Sequence, residues 1–165
     1  MGMHQITEPS TPRTVVKGIR ARLYPAQGPF PRSTVAYYKE NRPRYGRRRP
    51  FQNRFVFASD LLSDARLQPF VHDVVASVQF GGQTRKFRVF FKRHICLPLN
   101  QTLQNMGVHG FEGDVLVVAY GKQVPARNLR GWMEDRAADE AIRKLATKIG
   151  PVRNRTRFPK TISFN

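Results

Sequence analysis

Apolar and polar positions alternate on both sides of Gly81-Gly82, with Val74, Ala76, Val78 and Phe80 before it and Phe87, Val89 and Phe91 after it. A period of two places such residues on one face of a strand. Glycine accepts the positive φ of a tight turn without steric cost, so residues 74–80 and 84–93 are predicted to form a β-hairpin. A different period follows near the end of the chain. Ala138, Ala141, Ile142, Leu145, Ala146 and Ile149 recur at three and four, the spacing of one helix face. Glu134 and Asp135 fall in the first turn of that helix, Lys144 and Lys148 near its end, and Gly150-Pro151 stops it. That charge order complements the helix dipole.

Between these elements, Asn100 can cap a short helix over 101–106 that ends at Gly107. Residues 114–120 place Val115, Leu116, Val117 and Val118 in a row, the pattern of a strand buried on both faces. Upstream, residues 53–58 form a short apolar run. Ser59 or Asp60 can cap a following helix that carries Leu61, Leu62, Ala65, Leu67 and Phe70. The resulting order is strand, helix, strand, strand, helix, strand and a terminal helix. It predicts an α+β fold with a ferredoxin-like β-α-β-β-α-β sheet and an extra C-terminal helix.

The patterning fades outside this core and sets the expected division of the chain. Residues 53–150 make the α+β domain, 1–52 a Pro/Arg-rich arm and 151–165 a basic tail. Pro9, Pro12, Pro25, Pro29, Pro31, Pro43 and Pro50 remove backbone donors from the arm, so it is predicted to be largely irregular. Thr14–Tyr24 is the exception, because Ile19, Ala21 and Leu23 alternate with Arg20 and Arg22 as in an edge strand.

Charge changes the picture most. The 165 residues carry 29 Lys+Arg against 11 Asp+Glu, a formal net charge of +18. Residues 1–54 hold 12 basic and 2 acidic side chains, whereas 55–149 hold 13 and 9. Self-repulsion of this size disfavours a compact state unless something negative neutralises it, and nucleic acid is the commonest such partner. Of the basic residues 21 are arginine, whose planar guanidinium forms bidentate bonds to phosphate and stacks on rings. The densest cluster interleaves Arg42, Arg44, Arg47, Arg48 and Arg49 with Tyr45. Each arginine there can meet a phosphate, and each ring can stack a base. The run Arg47-Arg48-Arg49 equally fits a nuclear-import signal.

Catalytic chemistry finds little to build on. His94 and Cys96 lie two apart, with no second ligand pair at zinc-like spacing and no orienting group for a nucleophile. One cysteine excludes an internal disulfide, and no apolar run reaches the ~20 residues of a membrane-spanning helix. No cofactor, no metal and no enzymatic activity are expected, and the location read from these features is intracellular, with the nucleus favoured.

Two segments resemble signature strands of the RNA-recognition-motif family. Val56-Phe57-Ala58-Ser59-Asp60-Leu61 is similar to the first, and residues 86–93, beginning at Lys86, are similar to the second. The resemblance spans roughly 54–122 and departs from the pattern at Asp60, at Phe87 in place of glycine and at Arg88 in place of an aromatic. It implies a ferredoxin-like sheet that stacks bases on its central strands. Phe57 and Phe90 would then face nucleic acid together with Arg88. Hairpin alternation gives the same outward set of Lys86, Arg88, Phe90 and Lys92. The expectation is a nucleic-acid-binding protein, RNA favoured over DNA. The alternatives are a protein-interaction or regulatory module whose basic run serves import, and a capsid-like or ribonucleoprotein structural subunit.

Overall fold

A computed structural model of the chain describes residues 14–41, 54–55, 71–94, 96–121 and 126–150. The strands are β1 (Thr14–Tyr24), β2 (Arg32–Asn41), β3 (Arg54–Phe55), β4 (Val71–Phe80), β5 (Gln83–Lys92) and β6 (Glu112–Ala119). The helices are α1 (Gln101–Asn105) and α2 (Gly131–Ile149). The strands form one antiparallel sheet in the order β3-β2-β1-β6-β5-β4, with β3 only 2 residues long. The molecule is thus an α+β protein built from an antiparallel sheet and a C-terminal helix.

The hairpin forms where the alternation placed it. Gly81 and Gly82 have φ of 59° and 73°, and Phe80 pairs with Gln83 across a two-residue turn. That turn follows the right-handed twist of the strands. α1 also begins where the sequence indicates. The buried Asn100 accepts from the Leu103 N–H (2.8 Å) and donates through Nδ2 to the carbonyls of Tyr24 (2.9 Å) and Gly113 (2.7 Å). One side chain therefore ties α1 to both β1 and β6.

α2 lies on one face of the sheet. Ala137, Ala138, Ala141, Ile142, Leu145 and Ile149 pack in one core with Val74, Ala76, Val78, Phe87, Val89, Phe91, Val115 and Val117. The alanines keep the helix surface low, so its axis can approach the strands closely. A second buried cluster on the opposite face contains Ile19, Ala21, Leu23, Ala36, Phe90, Leu116, Val118 and Ala126. Val115, Leu116, Val117 and Val118 are each 0% exposed, so β6 is buried on both faces as its unbroken apolar run predicts.

Two expectations are corrected. In a ferredoxin-like sheet the strand near 53–58 would lie between the hairpin and the last strand. Here β5 pairs directly with β6 (Val89↔Val117), and Arg54–Phe55 pair with β2 on the far side. The place beside β6 is taken by β1, through Leu23↔Leu116. The second correction concerns the N-terminal span read as largely irregular. β1 and β2 pair continuously from Thr14↔Asn41 to Leu23↔Arg32 and belong to the same sheet as the hairpin. β1 is also not an edge strand, having β2 on one side and β6 on the other. Pro25, Pro29 and Pro31 lie in the connection between the two strands, so they punctuate this region without interrupting it. The predicted helix after residue 58 and the basic tail lie outside the described residues.

Candidate nucleic-acid interface

The arginines of the folded body are sorted by the acids of α2. From β1, Arg22 reaches Asp139 through Nε–Oδ1 (2.8 Å) and Nη2–Oδ2 (3.0 Å), and Tyr24 donates its hydroxyl to the same Oδ1 at 2.6 Å. Arg20 reaches Asp135 at 3.0 Å. Burial would lower the Arg22 pKa, but Tyr24 and Asp139 outweigh it and hold it above its ordinary value. Burial first, and then the neighbouring Asp139 charge, push the Tyr24 hydroxyl well above its usual range. It remains a neutral donor. Such charge-assisted bonds contribute about 1.5–3 kcal/mol each when partly shielded from water.

Nearer the start of α2, the buried Glu134 accepts from Arg127 (2.8 Å), Arg85 (3.4 Å) and the backbone N–H of Arg130 (2.5 Å). Its single negative charge is shared between two arginines, and it also satisfies the backbone donor of the N-cap residue, Arg130. At the other end, the Arg93 guanidinium donates to the carbonyls of Ile149 (3.3 Å) and Gly150 (3.0 Å), closing the helix C-terminus. Asp73 pairs with Arg88, Asp114 accepts the Ala26 N–H at 2.6 Å, and Glu112 is 6% exposed. Burial raises the Glu112 pKa, with the Arg93 charge and a backbone hydrogen bond opposing it.

The carboxylates are thus directed inward or spent on structural pairs. Glu140 and Asp73 are the exposed ones among the described side chains, and each lies against an arginine, Arg143 at 3.5 Å and Arg88 respectively. Cations remain at the surface: Arg32, Lys86, Arg130, Arg136, Arg143, Lys144 and Lys148 are all exposed. Lys144 Nζ additionally donates to the Ser77 carbonyl at 2.9 Å, occupying a backbone group of β4, the last strand in the sheet order. An outward field of one sign follows from this placement.

Of the residues singled out from sequence, Arg42, Arg44, Tyr45, Arg47, Arg48, Arg49 and Phe57 lie outside the described residues. Their attachment is nevertheless defined. β2 ends at Asn41, β3 begins at Arg54, and Lys39↔Arg54 and Tyr38↔Phe55 are paired. The arginines from Arg42 to Arg49 and Tyr45 fall in sequence between these two strands. Residues 14–19 of β1 pair with β2 and have no strand on their other side among the described residues. At ~3.3 Å per residue this ribbon extends roughly 20 Å.

Lys86, Arg88 and Phe90 do share the face opposite α2, as alternation predicts, but that face is not an open stacking platform. Phe90 is 3% exposed within the second core cluster, and Lys92 is 4% exposed. Arg88 lies 5.4 Å from the Phe90 ring centroid and pairs with Asp73. Lys86 alone of the four is exposed. A two-residue period reports which residues share a face, and it carries no information about whether that face is covered. His94 and Cys96 follow β5, where the Cys96 N–H donates to His94 Nδ1 at 3.2 Å. No group of three metal-ligating side chains occurs among the described residues.

The exposed aromatics lie elsewhere. Phe30, in the β1–β2 connection, is 75% exposed; Trp132 is 66% exposed at the start of α2, with the Arg136 guanidinium 5.5 Å from its ring centroid, and Tyr37 on β2 is 41% exposed. Trp132 sits off the apolar stripe of its helix, the one sequence signal that could have marked it. No family model, curated protein or solved structure matches the chain.

Proposed function

We propose that this protein binds nucleic acid, with RNA favoured over DNA, and does so chiefly through phosphate contacts without catalysing a reaction. The placement of charge supports this reading best. The body consumes its carboxylates in pairs with Arg20, Arg22, Arg85, Arg88 and Arg127, while Arg32, Lys86, Arg130, Arg136, Arg143, Lys144 and Lys148 stay exposed. The densest arginine run, Arg42 to Arg49, falls in sequence between β2 and β3, two strands that pair with each other. Lys86 and the exposed cations of α2 extend the basic surface. The nucleus is the proposed location, because the same run suits an import signal.

Neutralised phosphates release counterions, so affinity falls linearly with salt on logarithmic axes, with a slope near −0.7 per contact for single strands. Replacing Arg47, Arg48 and Arg49 together by alanine should weaken binding to all sequences alike. It should also flatten the slope by roughly 2. An unchanged slope in a fluorescence-anisotropy salt titration removes the arginine run from the interface. A protein-interaction module or a capsid-like subunit instead predicts a specific docking partner or self-assembly that survives nuclease treatment.

A further inference from the structure

Tyr37 and Trp132 surround one feature of the fold, the Arg20 position of β1. Arg20 pairs across the ribbon with Val35, and Gly18 pairs with Tyr37, one step further from the body. Arg20 is also held to α2 by Asp135 (3.0 Å), and its carbonyl accepts the Leu129 N–H (3.0 Å). Trp132 lies three residues from each of these anchors. Strand alternation places Val35 and Tyr37 on the α2 side of the sheet, the side on which Trp132 begins the helix. These are the exposed apolar side chains of this corner: Val35 48%, Tyr37 41% and Trp132 66%.

Gly18 explains how the tyrosine is presented. A Cβ at this position would come within 3.0 Å of Val35 Cγ1 and 3.3 Å of Tyr37 Cε1. Its absence lets both side chains lie down over β1, so the Tyr37 ring rests on backbone and keeps its outer side toward solvent. Arg136 plays the corresponding part beneath Trp132, leaving most of the indole exposed. Two rings backed by protein and open to water, with Arg130 and Arg136 exposed beside them, match a ligand that is both anionic and planar-aromatic. A protein partner would need the apolar area without the excess of cations.

We infer that Tyr37 and Trp132 form a base-stacking surface for single-stranded nucleic acid. This inference deepens the proposed function and rests on it. The surface replaces the β5 face, where Phe90 is buried. Stacking is tolerant of sequence, because every base offers a π-face. Duplexes, with their bases already stacked, gain only the phosphate contacts.

The chain contains 1 tryptophan and 5 tyrosines, so emission excited at the red edge of indole absorption, where tyrosine does not absorb, reports Trp132 alone. The experiment titrates the full-length protein with an unlabelled 20-mer of oligouridine or with a duplex of equal length. Emission and, in parallel, anisotropy of labelled oligonucleotide are followed. Stacking predicts saturable quenching by the single strand, with the same midpoint as the anisotropy. Tyr37→Ala and Trp132→Ala should each weaken single-strand binding about ten-fold, leave the salt slope unchanged and spare duplex binding. Tyr37→Phe, which keeps the ring, should bind like wild type. Single-strand binding with unquenched Trp132 and wild-type affinity in both alanine variants overturns the stacking surface while leaving the charge-based reading intact. No binding of either nucleic acid at low salt overturns both.

Discussion

Glu112 shows how the fold tolerates a carboxylate where it has little solvent. Its Oε2 lacks a hydrogen-bond partner, and burial raises its pKa against the pull of Arg93. A carboxyl whose folded pKa exceeds its unfolded value is bound to its proton more tightly in the native state. Its stabilising contribution is therefore complete below the unfolded value and is lost as pH rises through the folded one. Glu112→Gln, which cannot ionise, should match wild type in urea unfolding at about pH 3.5 and exceed it at about pH 7. A variant equal to wild type at both pH values would show that Glu112 ionises without cost. Asp135, Asp139 and Glu134 by contrast each lie against an arginine. In the sequence Glu134 and Asp135 are legible only as helix-dipole complementarity and Asp139 not at all, whereas the three pair with arginines of β1 and β5 across the sheet. Pairing across such distances in sequence leaves no local trace.

Among the elements, the β4–β5 hairpin is the most locally encoded. Gly82 holds φ at 73° with open space where a Cβ would stand, so conformation alone sets the cost of a side chain there. Gly82→Ala should lower stability by about 1–2 kcal/mol in chemical denaturation. A neutral result would mean that the turn relaxes to another type. α1, α2 and β6 were equally readable, because a cap, a three-four stripe and an unbroken valine run are local signals. The sheet order was not readable, since it depends on β1 claiming the place beside β6. Nothing in residues 14–24 announces which strand they join. β2 was hidden for another reason: Arg32–Asn41 lies among prolines, and Val35 and Tyr37 alternate apolar-outward, against the usual pattern. That inversion hid the strand and is also what presents Tyr37. Phe90 failed in the opposite direction, as the hairpin alternation gave its face correctly while a second cluster buries it.

At the scale of the molecule the argument is electrostatic. A body that pairs most of its acids with arginines and carries exposed cations on α2 sets up a positive outward field, and the proposed binding of a polyanion rests on that field. The most direct test is the affinity of the intact protein for a single-stranded 20-mer as a function of salt, from about 50 to 300 mM. The account predicts a straight line on logarithmic axes with a slope of about −3 or steeper, reflecting at least four neutralised phosphates. Failure to bind at the lowest salt, or binding that is indifferent to salt, would contradict it.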